Sequence, residues 1–195
     1  MPRPEPPPRL AGPPPTEAAL HEAALAHLAR YATTRAGLVA VLDRRIARWA
    51  RAAGDEEGVA DAVAAARAAA RRVAEKLVAL GVLNDAAFAE SRARSLTRAG
   101  RSRRAVAAHL AAKGVDGETA QAVLPDDPAA ELAAAVAHAR RRRLGPFRTV
   151  AADPARVQKE LAAFARAGFS RDTALQALRM DHAASEALLR AAREA

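Results

Sequence analysis

The chain has 195 residues, a formal net charge of +9 and no cysteine, which excludes disulfides, thiolate catalysis, iron–sulfur clusters and cysteine-based zinc sites. Aromatic residues make up only 3% of the chain and alanine supplies more than half of its apolar residues, so sandwiches and barrels are disfavoured and a thin-cored, all-α fold is predicted. Arg or Glu interrupts every apolar run well short of the roughly 20 residues that a membrane span needs, and the surplus positive charge favours polyanionic partners, nucleic acid first.

The first region along the chain is a proline-rich segment followed by three predicted helices. Residues 1–16 hold most of the twelve prolines and no apolar stretch, so we expect a disordered tail that is neither a signal peptide nor a membrane anchor. Helical spacing of apolar residues then predicts helices over 17–31, 34–51 and 59–80, with Tyr31, Trp49 and Leu80 in the core and Gly81 as the last stop. Residues 17–83 are predicted to form a first three-helix repeat.

An internal repeat provides the strongest evidence for architecture. A set of seven residues in the second half of the chain recurs at a constant offset of 54 positions, with a glycine that suits a left-handed helix end and a polar residue that suits the next N-cap. The first copy is Leu110, Gly114, Val115, Asp116, Thr119, Ala120 and Leu124, and the second is Phe164, Gly168, Phe169, Ser170, Thr173, Ala174 and Leu178. The repeated unit is therefore predicted to be helix, tight turn, helix.

One further helix precedes each copy of this unit, over 86–99 and 128–143. Asp85, Asp127 and Asp153 are predicted N-caps, the last two followed by proline at the first helical position. The second three-helix repeat is thus predicted over 84–124 and the third over 125–181. A C-terminal helical extension or tail is predicted over 182–195. Three tandem, helix-turn-helix-like repeats are expected to stack into an elongated array, curved or straight.

Two stretches without any acidic residue carry the candidate binding residues. The first runs from Arg92 to Val115 and the second from Leu132 to Ala152, and arginine offers a bidentate fork to phosphate or carboxylate. The N-terminus of the helix near Ser102 adds backbone amides that favour an anion. The alternative for the first stretch is a solvated face that pairs with Glu90 and Glu118. For the second stretch it is a solvated C-terminal helix end, where the helix dipole favours cations, and for both it is the Arg-rich composition of a GC-rich genome. The candidates are Arg92, Arg94, Arg98, Arg101, Arg103, Arg104, Lys113, Arg140, Arg141, Arg142, Arg143 and Arg148.

No catalytic or metal-binding pattern is present in the sequence. Its five histidines never pair at helical spacing with a third ligand nearby, and no glycine-rich phosphate loop, nucleophile elbow or triad spacing occurs. We therefore expect a binding protein without enzymatic activity, metal or cofactor.

The motifs from Gly81 to Val115 occur in an ordered run that resembles the RecX family of RecA regulators. The resemblance is carried by Gly81-Val82-Leu83-Asn84-Asp85, Phe88-Ala89, Gly100-Arg101-Ser102-Arg103-Arg104, Val106, Leu110, Lys113-Gly114-Val115 and, in the third repeat, Arg166-Ala167-Gly168-Phe169-Ser170. It extends over about residues 18–180. Asn84 replaces the more usual acid, and the first repeat carries fewer of the marks.

The resemblance implies a function that composition alone does not reach. It implies a cytoplasmic regulator of recombination and the SOS response, which binds RecA filaments on DNA and restrains RecA ATPase, coprotease and strand-exchange activity. We expect the protein to be a monomer. The basic residues above would contact RecA, single-stranded DNA or also double-stranded DNA. The alternatives are a sequence-nonspecific DNA-binding module that acts without a recombinase, and a helical scaffold for another acidic protein.

Overall fold

The computed structural model describes residues 12–54 and 57–194, so most of the predicted tail over 1–16 lies outside the described residues. The described residues form ten α-helices and one short 3₁₀ turn, without a strand among them, which confirms the all-α prediction. Two compact units are separated after Asp85, and each is described by itself.

The first unit contains three helices, α1 (Glu17–Leu28), α2 (Arg35–Ala53) and α3 (Val59–Ala79). The hydroxyls of Thr16 and Thr34 accept amide hydrogens at the starts of α1 and α2, as N-caps do. Helix α3 packs against both other helices around one apolar cluster. Its large members are Leu20, Leu38, Leu42, Ile46, Val73, Leu77 and Leu83.

Three sequence predictions for this unit are wrong. Tyr31 is 60% exposed because α1 ends at Leu28 and the ring lies against His27, tilted by 37°, outside the core. Leu80 is 63% exposed because the chain turns at Gly81, whose φ is +68°, and buries Leu83 instead. Trp49 is only half-buried, and its indole nitrogen donates to the Gly12 carbonyl at 2.7 Å.

Asp85 also differs from its predicted role as an N-cap. It is the first residue of helix α4 (Asp85–Arg98), and its carboxylate accepts the backbone amide of Arg35 at 2.7 Å. The carboxylate therefore satisfies a free amide at the start of α2 rather than at the start of its own helix.

The second unit holds the remaining helices, arranged around two apolar clusters. They are α4, α5 (Arg103–Ala112), α6 (Gly117–Ala122), α7 (Pro128–Arg142), the 3₁₀ turn Gly145–Phe147, α8 (Pro154–Arg166), α9 (Arg171–Arg179) and α10 (His182–Glu194). Val106 and Leu110 lie in the cluster of α4–α6. Phe164 and Phe169 lie in the cluster of α7–α10. The predicted repeat limits of 17–83, 84–124 and 125–181 stay predictions.

The repeated turns between α5 and α6 and between α8 and α9 share their backbone geometry. Gly114 and Gly168 both have positive φ, of 78° and 90°, a region where glycine pays no steric cost. Asp116 and Ser170 then cap α6 and α9 through the amides three residues ahead. The offset of 54 residues therefore reflects one helix–turn–helix unit that is built twice.

The start of α5 is joined tightly to α7 and to the α8–α9 turn. Gly100, with a φ of +71°, lies so close to α7 that a Cβ atom there would be 2.6 Å from the backbone nitrogen of His138. The Ser102 hydroxyl caps α5 and donates to the Ala167 carbonyl at 2.7 Å. These contacts fix Arg101, the residue between them, relative to the C-terminal half of α7.

Candidate polyanion-binding face

The basic residues of α4 lie on two different faces of that helix. Arg94 and Arg98 are four residues apart and share a face, whereas Arg92 points elsewhere and its Nε donates to Nε2 of His109 on α5 at 3.2 Å. The acid-free stretch of the sequence therefore does not form a single surface.

His109 marks the first group of cations. Burial lowers the pKa of His109 below its ordinary value, and the positive charges of Arg92, Lys113 and Arg101 lower it further. All three side chains are exposed. The imidazole is thus surrounded by cations from α4, from the end of α5 and from the loop before α5.

His138 on α7 marks the second group. Its ring is buried beside Phe164 and Phe169, with centroids 5.3 Å and 5.6 Å away. Burial lowers the pKa of His138, followed by the charges of Arg141, Arg142 and Arg101. Because Gly100 packs on the backbone of α7 at His138, the two acid-free stretches, which are separate in sequence, meet beside Arg101.

The second group continues into a small cavity at the end of α7. Arg142 and Arg143 line this cavity of about 330 Å³ together with Arg156 and Lys159 from the first turns of α8. Asp153 caps α8 by accepting the Arg156 amide at 2.6 Å and keeps its negative charge, whereas the charge of Glu160 is balanced by its ion pair with Arg148. Four cations therefore face one uncompensated carboxylate, and the cavity is positive.

We call the combined surface the cationic track. It consists of Arg92, Lys113, Arg101, Arg141, Arg142, Arg143, Arg156 and Lys159. Sequence analysis missed Arg156 and Lys159. Their spacing of three residues on α8 gave a weak signal, but no local pattern shows that α8 begins beside the end of α7.

The predicted anion site at the start of α5 is occupied by the protein itself. The backbone amide of Arg103 donates to the Glu131 carboxylate at 2.9 Å, and the Arg103 Nε donates to the Leu124 carbonyl at 2.9 Å. Burial raises the pKa of Glu131, while the amide and the charge of Arg103 act in the opposite direction. Arg103 therefore links the start of α5 to Glu131 of α7 and to Leu124 after α6, although both Arg103 and Arg104 are exposed.

Three other candidates form ion pairs within the second unit. Arg148 binds the buried Glu160 at 2.7 Å, Arg140 binds Glu186 of α10 at 3.5 Å, and the exposed Arg94 lies 3.7 Å from Glu90. Arg140 is the half-buried member of the four-arginine run, as helical geometry requires of one of them. Arg98 lines an apolar groove instead of the cationic track.

Residues 12–54 and 57–194 contain neither a metal-ligand cluster nor a membrane-spanning helix. No group of three or more His, Cys, Asp or Glu side chains there could hold a metal ion. No helix in these ranges is long and apolar enough to cross a bilayer.

Similarity to known proteins covers most of the chain. A family profile described as "RecX, second three-helix domain" matches residues 84–124. The chain is 44% identical over 154 residues to "Regulatory protein RecX" of Myxococcus xanthus (strain DK1622), covering 77% of this chain and 79% of that protein. It is 43% identical over 107 residues to "Regulatory protein RecX" of Agrobacterium fabrum (strain C58 / ATCC 33970), covering 55% and 57% respectively.

Solved structures show the same fold. The crystal structure of a regulatory protein RecX matches with a TM-score of 0.61 at 19% identity, covering 80% of this chain and 68% of that one. RecX from Lactobacillus salivarius matches with a TM-score of 0.57 at 20% identity, covering 83% and 96%. With the identity and coverage of the Myxococcus relative, these matches mean that the chain belongs to the RecX family, a family of regulators rather than of enzymes.

Proposed function

We propose that this protein regulates the RecA recombinase by binding RecA filaments on DNA and restraining their ATPase, coprotease and strand-exchange activities. The observation that carries the proposal is the cationic track in a chain of the RecX family. The protein would act in the cytoplasm as a monomer, in recombination and the SOS response.

The track has the chemistry that a nucleoprotein filament requires of a ligand. DNA presents phosphates at regular spacing, and arginine binds phosphate or carboxylate through two parallel hydrogen bonds. The track joins exposed cations from α4, α5, α7 and α8, so one molecule would contact several anions at once. Individually weak contacts add up in this way, both within the track and over successive sites along a filament.

The same surface also favours a second candidate, a DNA-binding module that acts without a recombinase. Phosphate contacts bind any sequence and weaken steeply as salt rises. The two candidates therefore differ in whether inhibition of RecA remains at a salt concentration that abolishes binding of the protein to DNA alone.

The deciding experiment is a titration of DNA-dependent ATP hydrolysis by the cognate RecA with this protein, at a salt concentration where its own DNA binding is undetectable. Regulation of the filament predicts inhibition, and substoichiometric inhibition would indicate action at filament ends or propagation along the polymer. An absence of inhibition at excess protein, with DNA binding restored at low salt, would favour the plain DNA-binding module.

A pair of charge-reversal variants assigns the effect to the track. Arg101→Glu with Arg142→Glu should raise the half-inhibitory concentration by about tenfold or more, because repulsion replaces attraction at its centre. Arg67→Glu with Arg71→Glu is the matched control, since it changes the net charge equally at exposed positions of α3. Equal losses in both variants would show that net charge, not the track, is responsible.

A further inference from the structure

A groove in the second unit shares no residue with the cationic track. Its floor is the alanine face of α7, formed by Ala129, Ala133 and Ala137 with Ala130 and Ala134 beside them. The end of α4 forms one wall, and α10 forms the other with Leu188 and Leu189. The groove therefore has an apolar floor and one leucine-lined side.

Two adjoining cavities make up this groove. The larger, of about 580 Å³, lies between α7 and α10, and the smaller, of about 250 Å³, extends between α4 and the end of α6. They share Thr97, Arg98, Asp127, Ala130 and Ala192 and so form one trough. The alanine floor extends over nine residues of α7, about 12 Å at the helical rise, which matches roughly two turns of a docked helix.

The charges along the edges of the trough leave a positive balance. The Asp127 carboxylate accepts the amides of Ala129 and Ala130 and keeps its negative charge, whereas the Glu131 carboxylate lies beside the charge of Arg103, whose amide it accepts. Within the described ranges, Arg98 and Arg193 make no ion pair, and both are exposed. A ligand that fills the trough would therefore place its flanks beside two guanidinium groups.

We propose that this groove docks an amphipathic helix of a partner protein, one with a ridge of leucine or phenylalanine and acidic residues on its flanks. Alanine in the floor leaves room for large side chains of the incoming helix and lets the two backbones approach closely. Leu188 and Leu189 cover one side of the ridge, and Arg98 and Arg193 pair with its carboxylates. The proposal does not depend on the cationic track or on RecA.

The test uses the full chain and a fluorescein-labelled helical peptide of about 15 residues, long enough for a marginally stable helix. The peptide carries leucine at positions i, i+4, i+7 and i+11, with glutamate and alanine elsewhere, and binding is followed by fluorescence anisotropy. A peptide with lysine for glutamate and one with alanine for leucine should both bind at least about tenfold more weakly. Equal binding of the leucine-free peptide would overturn the proposal, since simple attraction to cations would then explain it.

Filling the groove provides the matched variant. Ala130→Phe, at an exposed position where the two cavities join, should weaken binding of the acidic peptide by about tenfold or more. Ala108→Phe, at an exposed position of α5 outside the groove, should bind as the wild type does. Thermal unfolding by circular dichroism verifies that both variants fold, and wild-type binding by a folded Ala130→Phe would refute the groove as the site.

Charge reversal tests whether Arg98 and Arg193 bind the peptide at the groove or act only through the net charge of the protein. Arg98→Glu with Arg193→Glu should weaken the acidic peptide by about tenfold and favour the lysine peptide, whereas Arg67→Glu with Arg71→Glu should change neither preference. No binding by the wild type would overturn the proposal. So would a dimer of the wild type that Ala130→Phe dissociates in light scattering, because the occupant would then be a second copy of this chain.

Discussion

Replacing Arg148 tests whether this arginine binds a partner or stabilises the fold. It belongs to the second acid-free stretch and is a predicted contact residue, but its guanidinium binds both oxygens of Glu160, at 3.3 Å and 2.7 Å. Glu160 is 4% exposed and also accepts the Gly145 amide at 3.3 Å. In Arg148→Ala the carboxylate would stay buried, with one backbone amide as its partner among these contacts.

The expected loss of stability follows from this burial. Removing one partner of a buried ion pair costs about 3–5 kcal/mol, because the other charge is left uncompensated. The Arg148 side chain is 21% exposed and the Gly145 amide remains, so we expect the lower end, about 3 kcal/mol. With a urea m-value of about 2 kcal/mol/M, the unfolding midpoint of the second unit should fall by about 1.5 M.

Urea titration followed by circular dichroism measures this shift, with Arg156→Ala as an exposed control that should stay within about 0.5 kcal/mol of the wild type. Arg148→Met combined with Glu160→Met should recover most of the loss, since both charges leave the interior together. Below its unfolding transition, Arg148→Ala should bind DNA as the wild type does. An unchanged midpoint with lost DNA binding would refute the structural role of Arg148 and restore it to the binding surface.

Three further outcomes follow from the same contacts. Arg101→Ala with Arg142→Ala should lower the slope of log K against log salt for single-stranded DNA by about 1.4, at about 0.7 per lost phosphate contact, as measured by anisotropy over a salt series. The unfolding free energy should fall as the pH drops below about 6.5. Burial lowers the pKa of His138, so the unfolded chain binds the proton more readily than the folded protein does. His138→Leu should reduce this pH dependence in urea titrations at pH 5 to 8. Gly100→Ala should cost more stability than Gly81→Ala in thermal unfolding: both positions have positive φ, but only Gly100 lacks space for a Cβ atom, and equal costs would contradict this packing.

Local features of the fold were predictable because they depend on neighbouring residues. Asp116, Asp127 and Asp153 cap helices as predicted, since a side-chain oxygen needs only an amide two or three positions ahead. The turns at Gly114 and Gly168 were equally predictable, because a backbone conformation with positive φ favours glycine. The all-α class required nothing more than composition and spacing.

The division of the basic residues was not predictable, because it depends on pairs that are distant in sequence. Arg148 pairs with a carboxylate 12 positions ahead and Arg140 with one 46 positions ahead, and both carboxylates lie beyond the acid-free stretch of these arginines. The absence of acids along a stretch therefore does not leave its arginines unpaired. Arg101 likewise gained its central position only from the packing of Gly100 on α7.

This packing makes the cationic track a property of the junction between α5 and α7 as well as of its arginines. Gly100 and Ser102 hold the loop against α7 and against the Ala167 carbonyl, with Arg101 between them. A substitution that loosens this junction would separate the cations around His109 from those around His138 without removing any charge. A polyanion that binds both groups would then have to bring them together again, at a cost in conformational entropy. Affinity should therefore fall while the net charge stays the same. Comparing Gly100→Ala with Arg101→Ala below both unfolding transitions isolates this effect: the first should weaken binding with less change in the salt slope, and the second should lower both.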